Sequence, residues 1–494
     1  MTNRILFRAA AALLAAAALV PAAAPAQTLD RSVMPAPGPT PEVDFPEPRR
    51  HTLSNGLQVW LMERPGVPMV YVQLMVEAGA VADPPDRPGL ASLTAAMLTE
   101  GTATRTSRQI LEEIDFLAAN LNATAGQDVA TLTLTTLSRN LAPALAVFAD
   151  VAVNPSFPER EWDRVREQRL VAIRQAMDQP ANVAQEAFAQ LVYGPDHPLG
   201  RPVQGTPESV RAISPADLRA FYQARYRPEN SHLIVVGDVR ADQVIPQLER
   251  AFAGWQRGSV PALSPPAAPT PLAATKVYLI DRPDAAQSQI RIGHVGVERA
   301  HRDYFPLLVM NTVLGAAFTS RINLNLREAR GYTYGARSTF QMGRLAGPFT
   351  ATGGVHTAVT RESVAEFMRE LEEIRGARPV TPQELEFAKT AIIRREPMSL
   401  ETNEHFAGRI QEMILYGLPM DYFDEYNERV AAVTLEDVNR VAREYLQPGR
   451  FAIVVVGDRA KVEAGLRELP YPLEIVAVDT PAETPASAPG TSGR

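Results

Sequence analysis

The chain reads as an α/β (α+β) protein made of two homologous two-layer sandwich domains, and three observations lead there. The first is a repeat. Asp217-Leu218, Tyr226-Arg227-Pro228 and Ile234-Val235-Val236-Gly237-Asp238 close the first half. Asp437-Val438, Leu446-Gln447-Pro448 and Val454-Val455-Val456-Gly457-Asp458 close the second, each displaced by the same 220 positions. Helix–proline–strand–Gly-Asp is a common unit, but one offset shared by three spaced features points to internal duplication. The second is the alternation of strand-like and helix-like segments in each half, which favours helices layered on a sheet. The third is a proline-rich stretch, 258–275, with Pro261, Pro265, Pro266, Pro269 and Pro271, placed where a semi-rigid linker between two copies would lie.

In chain order, Arg4 and Arg8, the apolar run from Ala9 to Val20 and the small-x-small site Ala24-Pro25-Ala26 predict a signal peptide over 1–26. The run is too short for a permanent membrane anchor, and with no cysteine the chain has no lipid attachment site or disulfide. A periplasmic location is expected; secretion beyond the cell would begin the same way. Residues 27–48 are a proline-rich leader. The first domain, 49–257, opens on an Asn55-Gly56 hairpin. It continues with a strand at 69–76, a helix at 107–121 capped by Ser107, a strand at 130–137 and a charged helix at 159–177. The second domain, 276–475, has strands at 277–280 and 289–295, helices at 304–314 and 320–330, and strands from Tyr332 and from Phe349. The tail, 476–494, is rich in Pro, Ala, Ser and Thr and is expected to be disordered.

At 494 residues the chain exceeds a single hydrophobic core. Its 46% hydrophobic and 21% charged residues are those of an ordinary soluble globular protein. A net charge of −7 with no basic run argues against a nucleic-acid partner.

The most informative segment is Gly89-Leu90-Ala91-Ser92-Leu93-Thr94-Ala95-Ala96-Met97-Leu98-Thr99-Glu100-Gly101-Thr102. It resembles the active-site helix of the pitrilysin/insulinase family of inverted-zincin metallopeptidases, whose pattern runs G-[VIL]-A-H-F-L-E-H-M-L-F-x-G-T. On that frame Ser92 replaces the first zinc-binding His, Ala95 the Glu that acts as general base, and Ala96 the second His. The family's third ligand, a Glu before an Ile-Arg pair, falls on Ala172 in Leu170-Val171-Ala172-Ile173-Arg174, 76 positions beyond Ala96. Neither Ser nor Ala binds Zn²⁺ usefully, and Ala has no proton to exchange. The loss of three ligands and the base together is a coherent change of role. No metal site is expected in this chain. None of its seven histidines forms an H-x-x-x-H pair. Glu401-Thr402-Asn403-Glu404-His405 resembles half of a zinc motif with Glu in place of the first His but reads better as a solvated helix start, and a discontinuous three-His site stays open. Ser92, Ala95 and Ala96 share one helix face, where small side chains allow close packing.

The second half carries Arg327-Glu328-Ala329-Arg330-Gly331-Tyr332-Thr333-Tyr334. This resembles the family's R-E-x-x-G-[LY]-x-Y segment, in which an Arg at a helix end and a Tyr on the next strand face the zinc across the cleft. By position these are Arg327 and Tyr334. Gly331 can end the helix in a left-handed cap, and an Arg with a phenol can stabilise the oxyanion of peptide hydrolysis. On chemistry alone Arg327 could equally be a surface ion-pair partner and Tyr334 a packing aromatic. Strand alternation puts Tyr332 on the same face as Tyr334, and the family frame favours Tyr334. Gly347-Pro348-Phe349 through Gly353-Gly354-Val355 matches the family's style as a strand near the cleft, with no chemistry assigned.

The resemblance covers nearly all of residues 45–475 and implies two related domains that together form half of a clamshell. It also implies a function: the non-catalytic subunit of a heterodimeric zinc metalloendopeptidase. A zinc-bearing paralogous partner would hold the metal and the base, this chain would supply Arg327 and Tyr334, and unstructured peptides would be the substrate. The alternative is a peptidase-derived scaffold or peptide-binding protein with no part in hydrolysis. Autonomous activity would need an unrecognised metal site.

Overall fold

The computed structural model describes Gly38 and residues 45–477. The expected signal peptide and most of the expected leader and tail lie outside the described residues. The first half forms a six-stranded sheet from β1 (Arg49–Thr52), β2 (Gln58–Glu63), β3 (Met69–Val76), β4 (Asn120–Ala125), β5 (Ala130–Leu137) and β6 (Ser231–Gly237), in the order β1-β2-β6-β3-β5-β4. The second half forms another from β7 (Lys276–Asp281), β8 (Gln287–Val295), β9 (Thr333–Phe340), β10 (Pro348–His356), β11 (Ala452–Gly457) and β12 (Leu473–Val476), in the order β12-β7-β11-β8-β10-β9.

The duplication is visible strand by strand. β2-β6-β3-β5-β4 and β7-β11-β8-β10-β9 have the same order, each with one parallel pair, β2/β6 or β7/β11, among antiparallel ones. Only the outer strand differs. β1 folds back on β2 through the Asn55-Gly56 turn, where Gly56 has φ +90°, whereas β12 arrives from the far end of the chain and runs parallel to β7.

The central strands β6 and β11 are buried at almost every position, which requires both sheet faces to be covered. In the first sheet Val59, Leu61, Val72, Leu74 and Val235 pack under helices of their own half. Met62, Tyr71, Ile234 and Val236 belong to a core that also holds Phe406, Ile410 and Met413 of the second half's Asn403–Tyr416 helix. In the second sheet Val277, Leu279, Ile453 and Val455 face their own half. Tyr278, Ile280, Val454 and Val456 pack against Val183, Ala187 and Phe188 of the first half's Pro180–Tyr193 helix. Each half lends the other one helix. Polar ties join the same seam. Tyr193 Oη donates to Ala346 O at 2.9 Å, Arg344 pairs with Glu77 at 2.7 Å, and Arg64 Nη1 donates to Asn403 Oδ1 at 2.9 Å.

Several sequence expectations shift. The helix expected over 107–121 is capped by Thr106, which forms a capping box with Gln109, and it stops at Phe116. Asn120 and Leu121 are instead the first residues of β4, because pairing with β5 outweighs a further turn or so of helix. The two helices expected at 304–314 and 320–330 begin as α-helix at Tyr304–Asn311 and Arg321–Asn323, then widen to π-helix at Thr312–Ala316 and Leu324–Ala329. This apolar stretch could cross a membrane by length and composition, but it lies mostly buried in the second half's core. Phe45, inside the expected leader, is buried between Phe406 and Phe423 at 5.5 and 5.4 Å. Residues 255–275 contain no helix or strand.

Candidate functional site

The Leu90–Met97 helix, where the zinc motif would sit, is held at its start by Asp83, whose carboxylate accepts from Gly89 N at 2.8 Å and Ala91 N at 2.7 Å. Burial pushes the Asp83 pKa up to about 7, against the downward pull of those two N–H groups and of Arg201. Gly89 has φ +94°, and a Cβ there would lie 2.8 Å from Gly205 Cα, so the turn into this helix needs glycine on both counts. Ala95 is fully buried and Ser92 nearly so.

The residues at this face do not fit zinc. Ser92 Oγ accepts from Arg169 Nη1 at 2.9 Å, and Arg169 also donates to Gln204 O at 3.1 Å. Arg169 stands three residues before Ala172 on the Glu159–Met177 helix, on the face from which a third ligand would come. A guanidinium, with its pKa pulled down by burial, therefore lies where the family pattern would gather ligands around a cation. Among the described residues no three His, Cys, Asp or Glu side chains form a metal-holding group. His405 is an exposed residue in the first turn of a helix capped by Thr402.

The other expected pair comes together. Arg327 and Tyr334 line one open cavity of about 520 Å³ on the second sheet. Arg327 sits in the π-helical turn, about a third exposed, with Glu328 at 3.3 Å and its guanidinium 4.6 Å from the centre of the Phe318 ring. A π turn inserts an extra residue and re-aims the side chains beyond it. Gly331 then takes φ +67° as the sequence predicts, with Gly331 N donating to Arg327 O at 3.1 Å and Tyr332 N to Leu326 O at 2.8 Å. Asn323 anchors the corner, accepting from Ala336 N at 3.1 Å and donating to Phe318 O at 2.7 Å.

Tyr334 is 81% exposed and Tyr332 does not line the cavity. The alternation that would put both on one strand face fails for two reasons. Tyr332 precedes β9, and the β9/β10 ladder shifts register between Gly353 and Val355, where Thr333 Oγ1 donates to Gly354 O at 2.6 Å. Tyr334 and Gly335 consequently face outward in succession. Tyr334 and Gly335 together oppose the single residue Gly354 in this bulge, the kind of irregularity that re-aims a side chain beside a site.

Two family models match this chain, one described as Insulinase (Peptidase family M16) over residues 58–206 and one as Peptidase M16 inactive domain over 212–392. The chain belongs to the insulinase family, M16. A relative, YmxG of Bacillus subtilis, named an uncharacterized zinc protease, is 26% identical over 398 residues, covering 80% of this chain and 95% of its own. The crystal structure of a peptidase M16 inactive domain from Pseudomonas fluorescens superposes with TM-score 0.77 at 27% identity, covering 83% of this chain and 98% of that one. A protease from Helicobacter pylori shares the fold, with TM-score 0.76 at 19% identity over 84% and 100% of the two chains.

Beyond the M16 motif residues, sequence reasoning missed Arg169, Arg291 and Arg337. The last two line the same cavity as Arg327. A signal for Arg291 was present: Gln287, Gln289 and Arg291 occupy every second position of β8, a polar stripe on a strand otherwise buried.

Proposed function

We propose that this chain is the non-catalytic subunit of a heterodimeric zinc metalloendopeptidase that degrades peptides, inactive alone. A paralogous partner supplies zinc and the general base. This chain supplies half of the peptide chamber, with Arg327 and Tyr334 as donors to the oxyanion. The observation that carries this reading is the division of the M16 machinery. The zinc and base positions hold Ser92, Ala95, Ala96 and Ala172, with Ser92 Oγ accepting from Arg169, while Arg327 and Tyr334 share one exposed cavity. A guanidinium and a phenol held by a helix end and a strand suit a developing negative charge. The zinc-protease names of the relatives support a peptidase context. The apolar run from Ala9 to Val20 supports export, so the proposed compartment is the periplasm.

Affinity purification of the tagged chain from its native periplasm, with mass spectrometry of what co-purifies, tests the pairing. Near-stoichiometric recovery of a relative bearing H-x-x-E-H is expected. Recovery of the chain alone would favour a scaffold or peptide-binding role instead.

A further inference from the structure

The cavity that holds Arg327 and Tyr334 carries two more cations with no counterpart in the oxyanion role. In the sheet register Arg291 on β8 lies opposite Thr352 on β10, and Thr352 lies opposite Arg337 on β9. All three line the cavity, so the two arginines flank a small residue on one sheet face. Two strand spacings separate their backbones by about 10 Å, which lets both guanidinium groups lean over Thr352. Among the described residues neither arginine has a carboxylate within ion-pair distance, and no Asp or Glu lines the cavity.

Arg291 is the more buried of the two, with its guanidinium 6.0 Å from the centre of the Phe188 ring. Its Nε is buried without a partner, and its one hydrogen bond, from Nη2 to Gln185 Oε1, is long at 3.4 Å. Burial, with Arg337 adding repulsion, pulls its pKa down to about 10. A buried guanidinium with an unused donor and a second cation beside it is poorly placed for stability alone. A planar anion with two acceptor oxygens would satisfy both.

We propose that Arg291 and Arg337 form a carboxylate-binding subsite, which gives this half of the chamber a preference for extended peptides bearing an acidic group. The proposal rests on the reading that peptides enter this cavity, and it names their class: peptides with an Asp or Glu side chain, or a free C-terminus, at the residue over Thr352.

The test is fluorescence anisotropy on the full chain with four labelled extended peptides. Two have amidated C-termini and differ only in one internal Asp or Asn. Two lack acidic side chains and differ only in a free or amidated C-terminus. The expected result is about tenfold tighter binding of the acidic member of one pair, the scale of a single charge-assisted contact. The pair that discriminates identifies the source of the carboxylate. In Arg291→Gln and in the more exposed Arg337→Gln the affinity ratio should fall towards one, with circular dichroism verifying the fold. Equal binding within both pairs overturns the subsite, as does a ratio that survives Arg337→Gln, or failure to bind any of the four peptides. Hydrolysis of the neutral peptides by the assembled complex tests the subunit reading separately, so either can fail without the other.

Discussion

At the scale of single residues, the zinc-motif positions hold Ser92, Ala95, Ala96 and Ala172, and the subunit reading proposed above rests on Arg327 and Tyr334. Arg327→Ala and Tyr334→Phe should each lower kcat of the assembled peptidase by roughly 10²–10³-fold, the usual cost of removing one oxyanion donor. Neither should change pairing with the zinc subunit. Unchanged peptide hydrolysis by the Arg327→Ala complex would remove the donor role. Arg169 makes a second residue-scale prediction. Installing Ser92→His, Ala95→Glu, Ala96→His and Ala172→Glu should not give stoichiometric zinc uptake while Arg169 remains, because a guanidinium against Ser92 repels a dication. Adding Arg169→Ala should raise zinc affinity by about one to two orders of magnitude, measured by equilibrium dialysis with elemental analysis. Equal affinity with and without Arg169 would show that it is a bystander. The emptied positions were legible in the sequence because a fixed motif frame surrounds them. Arg169 and Arg337 were not, since each draws its meaning from a neighbour far away in the chain, and Arg291 showed only as one member of the polar stripe on β8.

At the scale of elements, β3, β5 and the Glu159–Met177 helix end where periodicity alone puts them, because alternation and helical spacing are local properties. The end of the Ser107–Phe116 helix was illegible, since a distant strand decides it. So were the π turns and the β9 bulge, which hydropathy does not encode. Gly331 was legible. Its φ is +67° and an added Cβ would meet nothing within 4 Å, so the cost of replacing it is conformational only. Gly331→Ala should destabilise by about 1 kcal/mol, with Gly331→Asn closer to wild type, in urea unfolding. Identical losses for both variants would refute a left-handed requirement. A pH effect belongs to this scale as well. Arg440 and Tyr445 hydrogen-bond Asp303, and Arg440 foremost holds its carboxyl down at about 2. The folded pKa lies below the unfolded one, so the stabilisation is present above about pH 4 and is lost as pH falls towards 2. Asp303→Asn should cost on the order of 1–2 kcal/mol at pH 7 and much less near pH 2.5. A loss that does not change across that window would rule out the linkage.

At the scale of the whole molecule, the repeat is plain in the sequence but the exchange of helices is not. Pro180–Tyr193 and Asn403–Tyr416 are amphipathic segments that any sheet could accept, and only the fold shows that each crosses to the other half. The halves should therefore melt together. Calorimetry of the chain is expected to give one endotherm, and a fragment ending at residue 257 should show no cooperative transition; two separated endotherms would contradict the shared core. The crossing also imposes an order in time. A ribosome that has finished the first sheet has not yet made Phe406, Ile410 and Met413, which cover one of its faces, and Val183 and Phe188 wait for Val454 and Val456, more than 250 residues later. The nascent first half thus carries exposed apolar surface until synthesis is nearly complete. Such a chain suits a route that moves it unfolded through a narrow channel and lets it collapse only after its last strands have emerged.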